Sequence, residues 1–271
     1  MGFFDKIVFF FKSLFNKNNK PTPAPTSPVE LPPARDGEWF KPSLVHFCIT
    51  HFKNLSELKR IVAMQDYQPK LLNLELDEIT PEIISWANSM GIVVCAYISA
   101  SYEAWREDAK QYPKDAKGDK MQGWDELWGN IAKPSLQEFL KVRMKKAKDI
   151  GCKIVEVDNI DIAFNDVGFK VSEKENIQAV KVLIDMAHSL GLAYAVKNTP
   201  ELAPYFASYA DLVFAEEAFE NEEDDKYNVY VGYGKPVYFI EYGTNPKGRP
   251  GCICQRKSGY FSSTASVFVN R

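Results

Sequence analysis

From residue 44 onward, short apolar runs alternate with segments whose apolar positions recur at helical spacing. The runs are LVHFCIT (44–50), LLNLEL (71–76), IVVCAYIS (92–99), KIVEVDN (153–159), LAYAVKN (192–198), DLVFAE (211–216), PVYFIEY (236–242) and GYFSST (259–264). Between them lie SELKRIVAMQ, TPEIISWANSMG, SLQEFLKVRMKKAKDIG and EKENIQAVKVLIDMAHSLG. Near-continuous apolar runs signify strands buried on both faces, as parallel strands are when helices cover them. Gly91, Gly151 and Gly191 close three helical stretches as C-caps, and Pro81 follows the N-cap Thr80. The alternation predicts an α/β chain with a parallel sheet. Eight runs in about 225 residues predict a (β/α)8 TIM-type barrel, with an open doubly wound sheet as the alternative. No G-x-G-x-x-G or P-loop pattern follows any run, which removes the usual nucleotide readings.

The front of the chain follows another pattern. In MGFFDKIVFFFKSLF, Phe3, Phe4, Ile7, Val8, Phe10, Phe11, Leu14 and Phe15 share one side of a helical wheel, opposite Asp5, Lys6, Lys12 and Ser13. Residues 1–19 therefore read as an amphipathic helix. Residues 20–36, with KPTPAPTSPVELPPA, read as a Pro-rich linker, and residues 37–271 as the barrel domain. The helix is shorter than the roughly 20 apolar residues that a bilayer span requires. Lys6 also stands where a myristoylation signal needs Ser or Thr. Contact with a membrane surface, docking on a protein and an atypical leader are the open readings. The expected location is extracellular or membrane-associated, with a cytoplasmic one left open.

Composition narrows the function classes. Of the 271 residues 45% are apolar, enough for a large core, and the net charge of −3 carries no basic stripe, so nucleic acid is not an expected partner. Five cysteines, an odd count without paired C-x-x-C motifs, read as structural thiols. His46 and His51 flank the first run, with His51 a weak site candidate, and His188 reads as a surface or packing residue. Without H-E-x-x-H or G-x-S-x-G, neither a metal hydrolase nor an α/β-hydrolase is expected, and no cofactor or metal is implied.

The candidate chemistry sits where barrels keep it, at the C-terminal strand ends. Those ends carry Glu156, Asp158 and Asn159; Lys197 and Asn198; Glu216 and Glu217; Glu241 and Tyr242. The second run carries Asn73, Glu75 and Asp77, and the third ends near Tyr97 and Ser99. Glu156 and Asp158 are two apart and share a face, toward the barrel axis if Val155 and Val157 face the helices. Two carboxyls across a barrel mouth suit glycosidic cleavage, one as proton donor, the other attacking the sugar or activating water. Lys197 would hold one of them ionised.

Five segments in order resemble the endo-α-1,4-polygalactosaminidase family of glycoside hydrolases. GCKIVEVDNIDIAFNDVGF (151–169) is similar to its G-C-D-G-V-E-P-D-N-V-D signature. AYISASYEAWREDAKQYP (96–113), GWDELW (123–128), AVKN (195–198) and GKPVYFIEY (234–242) match further motifs. The resemblance implies a barrel acting on α-1,4-linked galactosamine polymers through two acids. It puts the catalytic pair on Asp158 and Glu216, with a further acidic position near Glu223. Together with the strand-end reading, the expected sugar contacts are Tyr97, Trp124, Glu156, Asn159, Lys197, Asn198, Glu241, Tyr242, Glu75 and Asp77. The family's W-L-D-I-R stands here as Trp128-Gly129-Asn130-Ile131-Ala132, and its N-E-Q-C as Ala215-Glu216-Glu217-Ala218. The expected partner is a polysaccharide or oligosaccharide. A dense acidic stretch over residues 216–225 would attract a cationic chain.

Overall fold

The computed structural model describes residues 45–48, 52–63, 68–219, 221–241, 253–258 and 261–265, so the helix and linker expected before residue 37 lie outside the described residues. Seven strands lie side by side and parallel: β1 (Val45–Cys48), β2 (Leu71–Glu75), β3 (Val93–Ser99), β7 (Ile154–Asp158), β8 (Ala193–Lys197), β9 (Leu212–Glu216) and β10 (Val237–Glu241). All seven fall on the apolar runs. The eighth run behaves differently. It forms β12 (Phe261–Ala265), which pairs antiparallel with β11 (Ile253–Ser258), itself antiparallel to β10. The reason is chain length: only residues 259 and 260 separate β11 from β12, and a parallel pair needs a crossover of a dozen residues or so. The sheet order therefore runs from β1 to β12 with an antiparallel hairpin at one end.

Helices cover one face: α1 (Leu55–Ala63), α2 (Pro81–Ser89), α3 (Pro134–Ile150), α4 (Glu173–Ser189), α5 (Ala203–Phe206) and α6 (Asn228–Gly232). Their ends are set locally. The Thr80 hydroxyl accepts from the Ile83 amide ahead of Pro81, and Ser172 with Glu175 forms a reciprocal capping box on α4. Gly151 closes α3 at φ 118°, a backbone angle that side-chain-bearing residues rarely adopt. Among the described residues no helix is long and apolar enough to cross a membrane.

Strand alternation sorts the core into two layers. Val155, Val157, Val196 and Val213 face the helices, in a cluster with Leu140, Leu183 and Ile184. Leu71, Cys95, Ile154, Ala195, Phe214 and Tyr238 form a separate cluster on the inner face. The sheet curls around this second layer: Asn73 on β2 hydrogen-bonds Glu156 on β7, although β3 lies between them. Cys95 and Cys152 are buried, free thiols, and His188 pairs with Asp211 at 2.8 Å against Tyr209.

Between β3 and α3 the chain adds a small antiparallel sheet of β4 (Tyr102–Glu103), β5 (Lys117–Lys120) and β6 (Glu126–Gly129), in the order β4-β6-β5. Gly129 is fixed by close approach, since a Cβ there would stand 2.0 Å from the Ala100 carbonyl oxygen. Asn130 then caps the turn into α3, its Oδ1 accepting from the Ala132 amide at 3.1 Å. These departures from the family pattern thus have packing and capping roles.

Candidate active site

Above the inner apolar layer, the same faces of β7, β8 and β9 turn polar. Lys197 at the end of β8 is the centre: its Nζ stands 3.2 Å from Asp158 Oδ2, 3.1 Å from Glu216 Oε2 and 3.4 Å from Glu156 Oε1. Sharing one nitrogen keeps the nearest Asp158 and Glu216 oxygens within roughly 6 Å of each other. Burial works against the Lys197 charge, but Asp158, Glu216 and Glu156 outweigh it and hold the ammonium well above the ordinary lysine range.

The three carboxyls differ in access. Asp158 keeps 18% of its side chain exposed and Glu216 8%, whereas Glu156 is sealed at 0%. Asp158 collects donors: the Tyr97 phenol to Oδ2 at 2.9 Å, the Asn159 amide to Oδ1 at 2.8 Å, and Lys197. Burial, then the Asp158 charge, push the Tyr97 phenol far up, so it serves as a proton-bearing donor.

The strand tips share a backbone feature. Asn159 directly follows Asp158 at φ 60°, Asn198 and Thr199 follow Lys197 at 49° and 57°, and Glu217 follows Glu216 at 52°. Left-handed backbone at non-glycine residues is uncommon and clusters at functional sites. Here it turns each chain sharply so that the preceding side chain stands at the mouth. The two asparagines also brace the turns: Asn198 Oδ1 accepts from the Glu216 amide at 2.8 Å, and Asn159 Nδ2 donates to Ser99 Oγ at 3.2 Å.

Glu75 and Asp77 belong to a second buried cluster, centred on Arg106. Its guanidinium contacts Glu75 through two nitrogens at 2.5 and 3.0 Å, Asp77 at 3.1 Å, and Glu103 through Nε. Lys146 of α3 adds 2.7 Å to Asp77. Arg106 escaped the sequence reading because its partners on β2 lie about thirty positions away; the only signal was its place in the WRED motif. Its neighbour Trp105 lies over the guanidinium, 4.5 Å from ring centre to Cζ, and is half exposed. Glu126 on β6 pairs opposite Glu103 and also escaped notice. Burial, then Glu103 and Asp158, push its carboxyl up to about 8.

The remaining candidates scatter. Trp124 sits in the turn between β5 and β6, partly buried against the core. Glu241 ends β10, while Tyr242 and His51 lie outside the described residues. Glu223 of the acidic stretch and Glu201 ahead of it both hold Lys226, at 2.8 and 3.3 Å. Among the described residues no group of three or more His, Cys, Asp or Glu is arranged to hold a metal ion.

Known structures share this architecture. Aspergillus fumigatus Ega3, solved in complex with galactosamine, superimposes with a TM-score of 0.69 at 24% identity over 78% of this chain and 82% of its own. The glycoside hydrolase domain of PelA from Pseudomonas aeruginosa gives 0.57 at 19% identity over 76% of this chain and 86% of its own. A variant of that domain gives 0.58 at 16% identity, over 75% and 85%. Comparison with curated proteins gives no match. The model of glycoside-hydrolase family GH114 matches residues 35–266, and with that match over most of its length the chain belongs to family GH114 and is a glycoside hydrolase.

Proposed function

We propose that the chain cuts internal bonds of an α-1,4-linked galactosamine-type polymer, with Asp158 and Glu216 as the working pair on a closed barrel scaffold. The observation that carries this reading is their shared grip on Lys197, which sets two solvent-reaching carboxyls a sugar's width apart. In the retaining route, which this close pair suits, one carboxyl attacks the sugar and the other protonates the leaving oxygen. Asp158, oriented by Tyr97, Asn159 and Lys197, suits the nucleophile; Glu216 then serves as acid and base. Trp124, Asn159, Asn198, Glu241 and Tyr242 supply contacts around the sugar rings in this reading. The acidic stretch after β9 favours a chain bearing free ammonium groups. Such a polymer places the enzyme outside the cell or at a membrane surface, where residues 1–19 would serve as the contact.

The test compares de-acetylated and fully N-acetylated α-1,4-galactosamine oligomers at low and moderate salt. Faster cleavage of the de-acetylated chain is expected, with an apparent KM that rises with salt, because exposed charges are screened over about 8 Å at physiological ionic strength. Equal rates on both chains, without salt dependence, would exclude a cationic substrate. The anomeric form of the first product, read by NMR, decides between retention and inversion.

A further inference from the structure

Glu156 lies too deep for a sugar to reach. Its carboxyl is 0% exposed and sits beneath Lys197, against Asn73 on the other side. A buried carboxylate is costly unless it is paired and hydrogen-bonded. The pairing here is shared: Lys197 stands within ion-pair distance of three carboxyls, and Glu156 Oε1 accepts no hydrogen bond among the described residues. If all three were ionised, three carboxylates crowded around one ammonium would repel one another in a nearly closed space. One proton among them eases that repulsion, and the most deeply buried group is where a charge is least favourable. Asn73 fits either state, because an amide can present its N–H or its carbonyl to the neighbour.

We infer that Glu156 is a positioning residue that keeps a proton through the working pH range and fixes the Lys197 ammonium midway between Asp158 and Glu216 without competing for its charge. This inference rests on the reading of Asp158 and Glu216 as the working pair. The electrostatics agree. Burial pushes Glu156 up to about 8; Lys197 pulls the other way, while Asp158 and Glu216 add to the rise. The other groups that face it are the Cys95 thiol and the Tyr97 and Tyr194 phenols, all pushed upward and therefore uncharged in this range. Ionising Glu156 above pH 8 would draw Lys197 downward, away from the pair, and turnover would fall on the alkaline side.

The experiment uses the full chain with 13C-labelled glutamate carboxyls, titrated by NMR from pH 5 to 10, together with turnover on a de-acetylated oligomer. Two glutamate signals are expected to titrate near pH 8, from Glu156 and Glu126, and Glu156→Gln should remove one. Glu156→Gln should also keep most of its turnover at pH 6 and lose the alkaline fall. Glu156→Ala, which frees Lys197, should lower kcat by about 100-fold with little change in KM, as a misplacement of about 1 Å can. If Glu156→Ala does not fold, the Gln variant and the titration still decide. The inference is overturned if Glu156→Gln leaves every titrating signal in place, or if its pH profile matches the wild type. Wild-type protein that turns over no amino-sugar oligomer would instead overturn the functional reading, with the titration still reporting on the proton.

Discussion

The phenol of Tyr97 donates to Oδ2 of Asp158 at 2.9 Å, across the seam between β3 and β7. A hydrogen bond to a charged group is worth about 1.5–3 kcal/mol. Tyr97→Phe removes that bond and little else, so kcat should fall roughly 10- to 100-fold while the circular dichroism spectrum stays unchanged. Wild-type turnover in this variant would mean that Asp158 is oriented without the phenol.

Asp158→Asn and Glu216→Gln should each reduce turnover by at least about 100-fold, the loss expected of an acid–base or nucleophilic carboxyl. Both changes are close to isosteric, so the melting temperature should move little. The double variant should be barely worse than either single one, because residues that act as a unit are strongly non-additive. Counting reducing ends released from a defined oligomer measures all three. Additive losses would separate the two residues mechanistically.

Stability should fall as pH rises from about 4.5 to about 8. Burial holds Glu156 and Glu126 up at about 8 and Asp161 at about 6, whereas unfolded carboxyls titrate near about 4. The folded chain therefore binds more protons than the unfolded one in this window. Its stability is fully present below the unfolded value and is lost as the pH passes the folded values. Asp77, held low by Lys146 and Arg106 against its burial, acts in the opposite direction only at strongly acid pH. Melting curves at pH 5, 6.5 and 8 should show a declining midpoint, with a shallower slope in the double variant Glu126→Gln/Glu156→Gln. A flat wild-type profile would show that both glutamates ionise in the folded chain.

Much of the scaffold was legible because local chemistry dictates it. Seven apolar runs became parallel strands, and Gly91, Gly151 and Gly191 all take left-handed backbone at helix ends. Period-two alternation put Glu156 and Asp158 on one face of β7, and Lys197 of β8 draws both into one polar cluster. Depth was not legible: the same alternation that aligns the two residues says nothing of how far each lies from solvent, and one proved sealed. The insertion with β4, β5 and β6 was missed because KGDK has no apolar alternation and only two residues of β4 pair. The Arg106 cluster depends on contacts distant in sequence, which no local pattern encodes.

Removing residues 1–35 should leave a folded and active hydrolase domain. The segment shares no periodic pattern with the βα repeat, and domain boundaries fall in Pro-rich linkers of this kind. Thermal melting and turnover of the truncated protein check this. A large drop in melting temperature would mean that this segment docks on the domain, and loss of vesicle binding without such a drop would make it a membrane contact.

The turned strand tips also bear on how the protein could be engineered. Thr199 is β-branched and holds φ 57°, a position where glycine would sit with less tension. Relieving it is worth on the order of 1 kcal/mol, but Thr199 is buried, and Thr199→Gly would also empty its site and free the unfolded backbone at a comparable cost. The Thr199 hydroxyl meets the Lys197 carbonyl at 3.2 Å and that of Asn198 at 2.7 Å, so the same change would loosen the loop beside the central ammonium. Neither heat resistance nor catalytic rate therefore gains from glycine at this tip, and a thermostable form of the enzyme is better sought in the helical layer than at the mouth.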